Sequence, residues 1–81
     1  MTRTEIDETV RRFLVEDFEV DDYKIARDAR MKEDIDIDSL DIADIIVFVE
    51  EKFGFVMTAE QTKRLVTLND FCSFIEKNTA I

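Results

Sequence analysis

The chain has 81 residues, with one glycine, no proline, no histidine and one cysteine, and its 20 acids against 11 bases give a formal charge of −9. That length predicts one domain over residues 1–81 with a small core, and the scarcity of turn-forming residues favours helices over hairpins. Hydrophobic residues make up 46% of the chain, enough for a folded domain, while the acidity disfavours nucleic acid and anionic membranes and favours basic protein partners.

Four helices are predicted. The first starts near Thr2 or Thr4, where Thr2 and Glu5 have capping-box spacing. Ile6, Val10, Phe13 and Leu14 then recur at helical spacing, and the pattern fades by Phe18. Residues 19–37 form a long connection. Val20, Tyr23, Ile25, Met31 and Ile35 are expected to pin it across the core, with a short helical turn around residues 21–25.

The second helix is predicted over about residues 39–53. Asp38 suits its N-cap, since a carboxylate there can accept from a free amide of the first turn. Asp41 adds negative charge where the helix dipole favours it. Gly54, the only glycine, stands where a helix end takes a left-handed residue. Thr58 and Gln61 predict a short third helix over about residues 59–65. Thr67 and Asp70 predict a fourth over about residues 68–77, with Leu68, Phe71, Ile75 and either Cys72 or Phe74 facing inward.

The second helix carries apolar residues on two sides. At about 100° per residue, Ile42, Ile45, Ile46, Val49 and Phe53 form a core stripe. Leu40, Ala43 and Val47 fall among Asp41, Asp44, Glu50 and Glu51, and Phe48 falls between the two faces. An apolar strip edged by carboxylates suits protein docking; Leu40 and Val47 could also be ordinary exposed apolars or cover the long loop.

No segment approaches the roughly 20 apolar residues of a membrane span. The first residues lack the apolar core of a signal peptide, and the lone Cys72 precludes an intramolecular disulfide. A cytoplasmic location without membrane contact is the expectation, with Cys72 a core residue and no chemical participant.

Ser39 is the one hydroxyl in the most acidic stretch. Residues 33–51 hold eight acids (Glu33, Asp34, Asp36, Asp38, Asp41, Asp44, Glu50 and Glu51) and neither lysine nor arginine. A serine nucleophile needs a base. The chain has no histidine, and position 42, where a Ser-x-x-Lys pair would place its lysine, is isoleucine. No Gly-rich phosphate loop occurs either, so the expectation is a non-enzyme. Asp34, Asp36 and Asp38 imitate the opening of a calcium loop, but Ser39 stands where its glycine belongs and Ile45 where its bidentate glutamate belongs. No metal site is predicted.

The stretch Asp38-Ser39-Leu40-Asp41 is followed by an apolar helix ending Glu50-Glu51-Lys52-Phe53. An amphipathic helix and a long loop precede it, and a short helix and a last helix follow. In motif, order and acidity the chain resembles the acyl carrier proteins over nearly its whole length. The resemblance implies an all-α four-helix bundle of acyl-carrier type, with a long first loop and a short third helix. It implies that a phosphopantetheinyl transferase moves 4'-phosphopantetheine from coenzyme A onto Ser39 as a phosphodiester, with magnesium offsetting the charge. The arm's thiol would then carry acyl groups as thioesters in lipid, fatty-acid or specialised acyl biosynthesis.

By the same resemblance, Asp38, Leu40, Asp41, Asp44, Val47, Glu50 and Glu51 form a docking face on a monomer. Its partners would be acyl-activating, condensing or acyl-transfer enzymes with basic patches. Three positions depart from the family pattern. Asp36-Ile37 replaces the usual Gly-Ala or Gly-Gly, Val56-Met57 replaces Ile-Pro, and Phe48 replaces a smaller residue. The departures favour a specialised carrier, with Phe48 narrowing the cavity that takes up acyl chains. The competing readings are an unmodified acidic interaction module with the same fold and an acidic cation-binding module.

Overall fold

The computed structural model describes residues 2–79. Four helices run in the order α1 (Arg3–Asp17), α2 (Ile42–Phe53), α3 (Ala59–Arg64) and α4 (Leu68–Thr79), and a 3-10 turn at Asp22–Lys24 interrupts the long first connection. Among the described residues there is no strand, only an isolated antiparallel bridge between Arg30 and Thr67. The architecture is the all-α, four-helix one expected.

Local chemistry sets most of the boundaries. Thr2 and Glu5 form a reciprocal capping box, the amide of Glu5 donating to Thr2 Oγ1 at 3.2 Å and the amide of Thr2 to Glu5 Oε1 at 2.9 Å. Thr58 and Gln61 do the same for α3, and Thr67 and Asp70 for α4. Each box satisfies two amides that a helix start leaves without partners. Gly54 ends α2 with φ +76°, its amide donating to the Glu50 carbonyl at 3.1 Å. A Cβ there would meet nothing within 4 Å, so the backbone angle and not crowding calls for glycine.

Ile6, Val10 and Leu14 put the buried stripe of α1 against α4, which buries Leu68, Phe71, Cys72 and Ile75. α2 adds Ile45, Phe48 and Val49 from its core side. Burying one such side chain contributes roughly 1.5–3 kcal/mol, so these three stripes dominate the core. Phe48 resolves the ambiguity of its position by turning toward α1. Its ring stacks on Phe13 with centroids 3.8 Å apart and meets Phe53 edge-on at 5.7 Å.

The long connection is held by both side chains and backbone. Met31, Ile35 and Ile37 are buried, and Val20 and Ile25 pack against the core as partly buried residues. Tyr23 is a correction: it is 81% exposed, because the 3-10 turn rotates it outward while Ile25 faces in. The backbone also binds the segment that joins α3 to α4. Met31 N donates to Val66 O at 2.9 Å, Leu68 N to Ala29 O at 2.8 Å, and Asn69 N to Arg27 O at 2.9 Å. The loop is thereby fixed at the end of the bundle where α2 begins.

Candidate functional site

Ser39 sits in the turn that leads into α2, and the boundary differs from the sequence expectation. The α-helix starts at Ile42, three residues later than predicted, with Asp41 in the N-cap position. Asp38 still caps, but it caps the turn. Its Oδ1 accepts from the amides of Leu40 at 2.8 Å and Asp41 at 3.2 Å. Asp41 returns the bond, Oδ2 accepting from the Asp38 amide at 3.1 Å. The carbonyl of Asp38 also accepts from Asp41 N at 3.1 Å, which tightens the turn to 3-10 form. Two acids three residues apart can each cap, and their reciprocal bonding delays the α-helix.

This clamp holds Ser39 at the surface. The residue is exposed, and among the described residues its hydroxyl has no hydrogen-bond partner. The approach to it is strained at one position. Asp36 has φ +64°, in the left-handed region that glycine enters at little cost and aspartate enters less readily. The flanking Ile35 and Ile37 are buried and anchor the chain on either side of Asp36.

The three carboxylates of the calcium-like run serve separate purposes. Asp34 accepts from the Arg30 amide at 2.8 Å, a bond that holds its carboxyl below its ordinary pKa. Asp38 is occupied by the Ser39 turn, and Asp36 is exposed between two buried isoleucines. Among the described residues no group of three or more His, Cys, Asp or Glu is arranged to hold a metal ion.

The structure brings the expected docking residues to one side of α2. Taken at about 100° per residue, Ala43, Asp44, Val47, Glu50 and Glu51 fall within about 120° of arc on α2, and Leu40 lies in the turn before it. Leu40 is 83% exposed and Val47 52%, so neither covers the long loop. Asp38, Asp44, Glu50 and Glu51 are exposed as well. Asp41 is half-buried, its carboxylate engaged by the Asp38 amide, so it shapes the turn as well as bordering the face.

 Ser39 also lies on the rim of an open groove of ≈ 540 Å³. A larger depression of ≈ 730 Å³ lies between α1 and α2. Ile37 from the loop, Ile42 and Ile45 from α2, and Leu65 after α3 give the groove an apolar wall, and Lys32 and Lys63 stand along it. Phe48 does not line this groove. It lines the α1–α2 depression with Phe13 and Val47, so the narrowing expected of it does not occur beside Ser39. Thr62, the one buried polar residue of the groove wall, is satisfied by donating to the Thr58 carbonyl at 2.9 Å.

Sequence reasoning missed two features of the site. The lysines escaped notice because they lie outside the acidic stretch, one in the loop and one on α3. The left-handed Asp36 did leave a signal, the glycine usual at that place in the family the chain resembles, but the departure alone does not give the backbone angle.

The chain is similar in sequence to known proteins. A family model described as a phosphopantetheine attachment site matches residues 8–75. The chain is 34% identical over 80 residues to an acyl carrier protein of Thermosynechococcus vestitus, covering 99% of each chain. It is 32% identical to one of Helicobacter hepaticus, over 88% of this chain and 93% of that one. It is also 32% identical to one of Akkermansia muciniphila, over 95% and 96%.

Proposed function

Because the chain belongs to the acyl carrier proteins, which bear acyl groups on phosphopantetheine, we propose that Ser39 Oγ is the attachment point. The observation that carries the reading is an exposed hydroxyl, free of hydrogen bonds among the described residues, in a turn clamped by Asp38 and Asp41. The arm supplies a thiol that holds acyl groups as thioesters.

The residues present fit such a group. Ser39 is open to solvent on one side and borders a groove with an apolar wall on the other. Attachment forms a bond from Ser39 Oγ to phosphorus and breaks the pyrophosphate bond of coenzyme A, whose nucleotide portion leaves. The hydroxyl proton passes to a base on the transferase. The chain is thus a carrier on which other enzymes act.

The acidic face of α2 is the docking surface in this reading. Leu40 and Val47 supply apolar contact, and Asp38, Asp44, Glu50 and Glu51 guide basic partners into register. The partners are the transferase and the acyl-activating, condensing or acyl-transfer enzymes of one pathway, and the working compartment is the cytoplasm. No helix of the described residues is long and apolar enough to cross a membrane. Intact mass after incubation with coenzyme A, magnesium and a broad-specificity transferase tests the assignment. One arm should add to the wild-type chain and none to Ser39→Ala; a gain that persists in the variant would overturn it.

A further inference from the structure

Attachment at Ser39 replaces a neutral hydroxyl by a phosphodiester that carries a negative charge. This inference rests on that attachment. Two amide donors of the turn, those of Leu40 and Asp41, are already taken by the Asp38 carboxylate. Residues 33–51 contribute no cation.

Cations reach the groove from elsewhere in the chain. Lys32 and Lys63 line the same groove as Ser39, one from the loop and one from α3. Among the described residues neither forms an ion pair, and the nearby Arg30 is already engaged by Glu33 at 3.6 Å and Asp34 at 3.4 Å. The two acids of the groove also have partners, Glu33 in that ion pair and Asp38 in the turn. The groove therefore holds two cations without anions, next to a serine that acquires an anion.

We propose that Lys32 and Lys63 hold the phosphodiester formed at Ser39 and so lay the base of the arm along the groove. They act as positioning residues, and a partner's basic patch would compete with them for the same phosphate when it draws the arm out. Each lysine should change the held fraction about twofold to fivefold, the range of exposed ion pairs.

Phosphorus NMR of the loaded protein tests this, with loading verified by mass. The wild-type resonance should shift between low salt and salt high enough to screen exposed charges. The shift should be lost in K32Q/K63Q and kept in K32R/K63R, with helical circular dichroism unchanged in both. An equal salt response in K32Q/K63Q and wild type, or none in wild type, overturns the inference alone. Absence of any mass gain overturns the attachment reading together with it.

Discussion

Replacing Asp38 by alanine isolates what holds Ser39 in place. The substitution removes the acceptor for two amides, Leu40 at 2.8 Å and Asp41 at 3.2 Å. The reciprocal bond from the backbone of residue 38 to Asp41 Oδ2 can persist, since it needs no side chain at 38. Loss of a helix cap costs about 0.5–2 kcal/mol, typically about 1. In a domain of this size each kcal/mol lowers the melting temperature by about 4–8 °C. Asp38→Asn keeps a side-chain oxygen and removes only the charge, so it should lose far less. Thermal unfolding by circular dichroism, run on both variants at the same pH and salt, separates cap from charge. An unchanged midpoint in Asp38→Ala, or an equal loss in Asp38→Asn, would refute the capping account.

Three other outcomes follow from the same structure. Asp36→Gly should leave stability equal or raise it by up to about 1 kcal/mol, because relief of the left-handed backbone outweighs or balances the added chain entropy; a clear fall in the urea midpoint would show that the Asp36 side chain contributes a contact. Charge reversal at Asp44 and Glu51 should slow arm attachment at low salt, with the deficit shrinking as salt screens the face; equal rates at low salt would remove that face from docking. Burial pushes the Cys72 thiol up to about 12, with Asp7 adding to the shift, so the unloaded native protein should resist thiol reagents at pH 8 and the loaded protein should react once; rapid labelling of the unloaded protein would contradict the packing of α4.

The parts legible in the sequence were those encoded by residues close together. Three capping boxes, at Thr2, Thr58 and Thr67, formed with the partners their spacing implies. Gly54 ended α2 in the left-handed conformation. The start of α2 was harder to read, because Asp38 and Asp41 both have capping chemistry and only their mutual hydrogen bonds decide the outcome. Long-range features left no local mark. Periodicity put Phe48 between two faces, and the position of Phe13 on another helix decided which one it joined. Tyr23 looked like an anchor by composition, yet the 3-10 turn sends it to solvent. The meeting of Lys32 and Lys63 at one groove depends on how the loop and α3 pack, which spacing does not encode.

The central claim is that Ser39 bears the arm, and the most direct measurement is fragment-ion mapping of the protein purified from its own cells. The account predicts a phosphopantetheine group on the peptide that contains Ser39, localised to that residue. An unmodified Ser39 peptide throughout, or an arm localised to any other residue, would contradict it.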